Sequence, residues 1–171
     1  IAFINYNEKG FAIPDFSYGK EDAIRDQVCR ATQMIECPAS GLRFLNGDTG
    51  EITNHATLED AVADPAVPDA YLKVLESPKL FKDMFILADE ALSSYRKMMH
   101  NAGGLIVAPN IRTANLFRDE LIMLTGKEYP IVHSKTDKAP DIIKKFRESR
   151  EEWLISVDMV TEGVDIKRLM V

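Results

Sequence analysis

The chain has 171 residues, of which 46% are hydrophobic and 28% are charged, and this composition excludes collagen-like, disordered and disulfide-scaffold proteins. A chain of this length can bury a sizeable core without disulfides or metal ions. The formal net charge of −6 argues against a strongly basic nucleic-acid module. The apolar runs are too short for a transmembrane helix and no signal peptide is evident, so a cytoplasmic location is predicted. Because the sequence starts at Ile1 and stops at Val171 inside an apolar run, we expect a piece of a larger protein.

The charges are distributed unevenly along the chain. Residues 51–92 contain nine acidic and three basic residues, a net charge of −6, whereas residues 133–150 contain six basic and three acidic residues, a net charge of +3. A local basic face can bind phosphate even on an acidic protein. A solvated helix face would have the same composition, so charge alone leaves both interpretations open.

The sequence gives little reason to expect a metal site. Cys29 and Cys37 are too far apart for a C-x-x-C pair, and His55, His100 and His133 are scattered. We therefore expect reduced thiols and no bound metal.

The first hundred residues predict a hairpin and a series of helices. We expect a helix over 18–30 with Ser17 as its cap, a strand over 31–36 and a hairpin over 42–54, whose glycine-rich turn permits positive φ angles. Two short helices should follow, the first capped by Thr57 and ending at Pro65, and the second lying between Pro68 and Pro78. Apolar residues spaced by three and four then predict a long helix over 79–100, ended by Gly103 and Gly104.

From residue 103 onward, short apolar runs alternate with amphipathic helices. Strands are predicted over 105–108, 129–133 and 153–157, and a fourth begins at Leu169. The intervening helices cover 111–125, between Asn110 and Gly126, and 141–149, which starts near Pro140. This alternation predicts an α/β fold with a parallel sheet and flanking helices, preceded by a hairpin and a helical segment. Ligands of such sheets bind at the carboxyl ends of the strands.

Two features of the sequence limit the chemistry. Asp89-Glu90 follows an apolar run and resembles the acidic pair of a Mg-ATP motif, but the helical spacing around it argues against a strand tip. No G-x-x-x-x-G-K-[ST] phosphate loop is present anywhere. The chain alone is therefore not a complete P-loop ATPase, and we expect it to be inactive by itself.

The most informative stretch is residues 153–166, where a buried strand runs into a polar loop. Ser156 and Asp158 lie at the end of the strand, and Glu162-Gly163-Val164-Asp165-Ile166 forms a turn in which Gly163 allows a close backbone approach. Asp165 can accept a hydrogen bond from a hydroxyl or guanidinium group. From the pattern alone, an ordinary loop with a solvated aspartate is also possible.

This stretch resembles motif V of superfamily 2 helicases of the DEAD/DEAH-like group, and its E-G-x-D-I ending is most similar to restriction-enzyme and excision-repair helicases. Residues 104–110 resemble motif IV, the first strand of the second RecA-like domain. Residues 132–134 lie where family members often have a strand ending in His-Gly, and Phe146 matches the usual Phe before the motif V strand. The N-terminal part is similar to the junction after the first RecA-like domain in phage and bacterial helicases.

The sequence also departs from the family pattern. The Thr that usually precedes the motif V Asp is replaced by Val157, the usual Pro after G-x-D-I by Lys167, and the Gly of His-Gly by Ser134. The motifs of the first domain and motif VI, which carries the arginine finger, are absent from these 171 residues.

The resemblance implies three parts. Residues 1–37 would be a junction from the first RecA-like domain, and residues 38–102 a hairpin with acidic helices. Residues 103–171 would be a second RecA-like domain that is truncated before motif VI. The parent would be an ATP-dependent helicase or translocase that uses ATP and Mg²⁺, neither of which this fragment would hold alone. Its partners would be nucleic acid, with DNA expected over RNA, and the missing parts of the same chain. Glu162, Gly163 and Asp165 would face the nucleotide. The residues expected to face nucleic acid are Pro109, Asn110, Arg112, His133, Ser134, Lys135, Ser156 and Asp158.

A different class of function also fits the sequence. The chain could be a non-catalytic α/β domain for protein interaction, in which the acidic helices of residues 57–100 carry the binding surface. A flavodoxin-like cofactor domain fits less well, because no glycine-rich loop follows a strand.

Overall fold

The structure, a computed structural model, describes residues 6–11, 13, 18–26, 28, 34, 41–45, 49–157, 159 and 166–171. The chain divides into two compact units, Ile1–Glu36 and Cys37–Val171. The predicted domain boundaries at residues 37 and 102 stay predictions. None of the described helices combines the length and the apolar character that crossing a membrane requires.

Among its described residues, the first unit contains one short helix, α1, over Lys20–Arg25. It is shorter than the helix predicted over 18–30, because the chain turns at Asp26 and the Val28 amide bonds the carbonyl of Ala23 instead of continuing the helix. The Asp22 carboxylate accepts from the Gly19 amide at 3.1 Å and caps the helix. The predicted cap Ser17 lies outside the described residues, as does the strand predicted over 31–36 apart from Met34.

The second unit opens with the predicted hairpin, which is confirmed. Strands β1 (Leu42–Leu45) and β2 (Ile52–His55) pair antiparallel, with Leu42 opposite His55. Alternation places Leu42 and Phe44 on the inner face, where they pack on a small cluster formed by Ala61, Val67 and Ala70 of the segment that follows.

Three helices follow the hairpin, as the sequence predicts. Helix α2 (Leu58–Ala63) has a reciprocal cap in which Thr57 and Asp60 each bond the other's backbone amide at 3.2 Å. Helix α3 spans Ala70–Leu75, and α4 spans Pro78–Arg96 with Ser77 as its cap. Helix α4 therefore contains the Asp89-Glu90 pair, which confirms that this pair lies on a helix and not at a strand tip.

The remaining elements alternate between strands and helices. Strand β3 (Gly104–Val107) precedes α5 (Ile111–Thr125), and β4 (Ile131–Val132) precedes α6 (Ala139–Glu148). Strand β5 (Trp153–Ser156) lies between β3 and β4, parallel to both, so the order among the described strands is β3-β5-β4. The predicted fold class, a parallel sheet with flanking helices after a hairpin and a helical segment, is confirmed.

Strand β5 is buried on both faces and separates two parts of the core. Trp153 and Ile155 face the side covered by α4 and α5, and Leu154 faces the side covered by α6. On the first side Phe81 of α4 stacks on Phe117 of α5, with ring centroids 4.0 Å apart. Burial of each such ring contributes about 1.5–3 kcal/mol. Helix α4 thus shares a hydrophobic core with the sheet.

The two glycines at 103 and 104 have a different role from the predicted one. Helix α4 ends at Arg96, before them, and Gly104 begins β3. A β-carbon on Gly104 would lie 2.1 Å from the Trp153 ring. Glycine is required here because the indole packs directly on the β3 backbone.

Where a fourth strand is predicted from Leu169, the structure has an isolated parallel bridge between Leu169 and Gly103 and no further strand among the described residues. Just before this bridge, the guanidinium group of Arg168 is buried, with 2% of the residue exposed. It donates to the carbonyls of Asn101, Glu151 and, at 2.9 Å, Phe146. Arg168, for which the sequence pattern predicts no role, thus joins three separate segments around the sheet.

Candidate nucleic-acid and nucleotide interface

The three described parallel strands end level with one another. Val107 and Val132 are both in register with Ser156, the last residue of the central strand. The amide of Ala108 bonds the Ser156 carbonyl, and the amide of Val157 bonds the Val132 carbonyl, each at 2.9 Å. The loops that follow the strands therefore start from the same edge of the sheet, where ligands of parallel sheets bind.

After β3, the predicted site residues form the start of α5. Pro109 is exposed, and Asn110 is the N-cap, whose side-chain oxygen accepts from the Thr113 amide at 2.8 Å. The side chains of Asn110, Arg112 and Thr113 also donate to a single carboxylate, that of Glu76, at 3.3, 2.7 and 3.1 Å. Two residues expected to contact phosphate thus bind an acidic side chain of the same chain.

Glu76 lies at the C-terminal end of α3, and its side chain is 22% exposed. Hydrogen bonds from Asn110 and Thr113, followed by the charge of Arg112, lower the pKa of Glu76 below its ordinary value of 4.5. The carboxylate is therefore ionised at neutral pH and joins α3 to α5. In the sequence Glu76 is only one acid of an acidic segment, because its partners lie more than thirty residues away in the chain.

After β4, the chain makes a tight polar turn. The His133 amide donates to the Thr136 hydroxyl at 2.9 Å, and the Lys135 amide donates to Nδ1 of His133 at 3.1 Å. Ser134 and Lys135 are exposed, and the Lys135 ammonium group forms no ion pair with a described residue. This turn can present a hydroxyl and a cation to an anionic ligand.

At the end of β5, Ser156 is 1% exposed. Its hydroxyl has no hydrogen-bond partner among the residues that the structure describes. A buried hydroxyl without a partner costs on the order of 1–3 kcal/mol, so such groups normally have one. Ser156 is the most deeply buried of the predicted site residues that are described.

The remaining predicted residues lie outside the described part of the chain. Asp158 and the nucleotide-facing residues Glu162, Gly163 and Asp165 belong to this group. The chain is described again at Ile166, which is 5% exposed and packs in the cluster under α6. Among the described residues, no three His, Cys, Asp or Glu side chains gather into a possible metal site.

No protein-family model matches the chain. An uncharacterized protein of Mycobacterium leprae (strain TN) is 36% identical to it over 158 residues, which cover 92% of this chain and 26% of that protein. The ATP-dependent RNA helicase DBP5 of Candida glabrata is 29% identical over 139 residues, covering 72% of this chain and 27% of the helicase. Most of this chain is thus similar in sequence to part of a helicase.

The chain spans less than a third of the length of the mycobacterial proteins that it matches. Among solved structures, the C-terminal domain of a Sulfolobus solfataricus SWI2/SNF2 ATPase has a TM-score of 0.40 and 21% identity to the chain. That match covers 61% of this chain and 45% of the other.

Proposed function

We propose that the chain is the second motor domain of an ATP-dependent nucleic-acid helicase or translocase, and forms one side of its ATP and nucleic-acid clefts. The observation that carries the proposal is the sequence similarity to an ATP-dependent RNA helicase over 72% of the chain. The parallel sheet with its level carboxyl edge supports the same function, because it brings the predicted loops to one side of the fold.

On the nucleic-acid side, the proposal rests on the turn after β4 and on Ser156. Phosphate contacts are made by hydroxyl groups, backbone amides and cations, and the exposed Ser134 and Lys135 supply these groups. The buried Ser156 hydroxyl would gain a partner when nucleic acid, or the neighbouring loop that holds it, closes over the strand end. Asn110 and Arg112 would contact phosphate only after their side chains are released from Glu76.

On the nucleotide side, the proposal rests on the sequence alone, because Glu162, Gly163 and Asp165 lie outside the described residues. ATP with Mg²⁺ would supply the transferable phosphoryl group. In this chain, Gly163 would let the backbone approach the nucleotide, and the Asp165 carboxylate would orient a ribose hydroxyl or an arginine. The chain by itself is expected to hydrolyse no ATP, since it has no phosphate loop.

The experiment is a fluorescence-anisotropy titration of this chain with single-stranded RNA and with single-stranded DNA of the same sequence. Binding should be weak, independent of sequence and sensitive to salt. Lys135→Ala should lower the slope of log affinity against log salt by about 0.7, the contribution of one phosphate contact on a single strand. Lys144→Ala, which removes an exposed lysine of α6, is the matched control and should change it less.

An equal change in the salt slope for Lys135→Ala and Lys144→Ala would count against nucleic-acid binding at the carboxyl edge of the sheet. Base-specific or salt-insensitive binding would contradict the proposal. The comparison of RNA with DNA also tests the expectation from the sequence that DNA is the partner.

A further inference from the structure

The hairpin and the helices next to it enclose a groove outside the carboxyl edge of the parallel sheet. Its volume is about 530 Å³, and its walls are β1, the end of α3 and the first turns of α4. Residues from both faces of β1 line it, so the groove follows the outer edge of that strand, which pairs with no other described strand.

The charges in this groove are opposite in sign to those of the surrounding segment. Residues 51–92 carry a net charge of −6 and contain only three basic residues, yet two of these, Lys73 and Lys79, line the groove. Arg43 lines it from the hairpin, so three cations meet there from three different elements. Asp83 is the acidic residue on the described walls.

These three cations have no described partner. Arg43, Lys73 and Lys79 are exposed, and no ion pair or side-chain hydrogen bond joins them to another described residue. Like charges that line one groove repel one another, and the single carboxylate of Asp83 offsets only part of this charge, so an anion that spans the groove would reduce the repulsion. Lys79 also lies in the first turn of the 19-residue helix α4, the end at which a helix favours negative charge.

We propose that this groove binds the phosphate backbone of a single nucleic-acid strand, at a site separate from the carboxyl edge of the sheet. The inference rests on the proposed function for the identity of the anion, and on the three cations for the site itself. Leu45, which is 66% exposed, lies beside the cations and offers apolar surface to a base or sugar. The groove would thus extend the binding path of the nucleic-acid strand onto the hairpin and the helical segment.

The test measures oligonucleotide binding by this chain at several salt concentrations. Lys73→Ala with Lys79→Ala should weaken binding about tenfold at low salt and lower the salt slope by about 1.4, that is about 0.7 for each lost contact. The matched control, Lys82→Ala with Lys97→Ala, removes the same charge from exposed lysines that do not line the groove and should change both quantities much less. Arg43→Ala alone should lower the slope by about 0.7.

A substitution that is expected to strengthen binding distinguishes a direct effect on the groove from damage to the fold, because damage would only weaken binding. Asp83→Asn removes the acid from the groove and should raise the affinity severalfold, whereas Glu90→Gln, on the same helix outside the groove, should not. An acidic peptide such as polyglutamate should compete poorly with the oligonucleotide.

Equal effects of the two lysine pairs, no gain with Asp83→Asn, or tighter binding of polyglutamate than of the oligonucleotide would each overturn the assignment of this groove. Such a result would leave the proposed function standing if Lys135→Ala still lowered the salt slope. Conversely, a lower salt slope in the groove variants together with an unchanged slope in Lys135→Ala would count against the carboxyl-edge site alone.

Discussion

The indole Nε1 of Trp153 donates a hydrogen bond of 3.0 Å to the carboxylate of Asp89. The bond joins the buried first residue of β5 to the middle of α4, and the Phe85 ring packs beside the indole with its centroid 5.3 Å away. Asp89, which in the sequence resembles part of the acidic pair of a Mg-ATP motif, is therefore a structural acceptor that fixes a helix on the sheet.

Asp89→Ala should destabilise the fold, because it leaves the buried indole N–H without its acceptor. The expected cost is about 1–3 kcal/mol, or a fall of roughly 2–12 °C in the thermal midpoint. Asp89→Asn keeps an acceptor oxygen and should cost less, and Glu90→Ala, the exposed neighbour, should have little effect. Thermal unfolding followed by circular dichroism measures all three, and equal midpoints for Asp89→Ala and Glu90→Ala would refute this role.

Arg168→Met should be among the most destabilising single substitutions in the second unit. The methionine keeps much of the apolar stem but leaves the carbonyls of Asn101, Phe146 and Glu151 without their donor. We expect a loss of at least about 3 kcal/mol, measured by urea unfolding. Arg147→Met, at an exposed arginine on α6, is the control and should change the unfolding free energy little. A loss no larger than that of the control would contradict the structural role.

The Glu76 contact should make stability depend on pH below the ordinary carboxyl pKa. The pKa of Glu76 is lowered in the folded chain, so its contribution is complete above the unfolded value near 4.5 and is lost as the pH falls through the folded value. The thermal midpoint of the wild type should therefore exceed that of Glu76→Gln at about pH 6, and the difference should shrink toward about pH 3. A pH-independent difference for Glu76→Gln would disprove the charged contact.

Ser156→Ala should leave stability unchanged or increase it, because the hydroxyl has no partner among the described residues. Thr113→Val, at an equally buried hydroxyl that bonds Glu76 and Asn110, should instead destabilise the fold. If the Ser156 hydroxyl contacts nucleic acid, Ser156→Ala should also weaken oligonucleotide binding. A clear fall in the midpoint of Ser156→Ala would show that this hydroxyl has a structural role.

Local patterns were sufficient to predict much of the fold. The hairpin, the caps at Thr57 and Asn110, the stop at Gly126 and the parallel strands all depend on residues a few positions apart. The ends of helices were less predictable, as α4 shows by ending at Arg96 and not near His100.

The parts that sequence could not predict depend on contacts between distant segments. Glu76 meets its partners 34 to 37 positions later, and Arg168 meets a carbonyl 67 positions earlier. No local pattern indicates which carbonyl or carboxylate a charged side chain will find after the chain folds. For the candidate site, the sequence predicted which loops share an edge, but not that Asn110 and Arg112 are held by an acid of the same chain.

Nucleic-acid-stimulated ATP hydrolysis by the longer protein that the proposal implies tests whether this chain supplies half of an ATP-driven motor. We predict that Asp165→Asn lowers the stimulated rate roughly tenfold to a hundredfold, the effect of losing a charge-assisted hydrogen bond of about 1.5–3 kcal/mol in the transition state. The thermal midpoint, measured on the same samples, should stay the same. No stimulated hydrolysis in the wild type, or an unchanged rate in the Asp165→Asn variant, would contradict the proposed motor function.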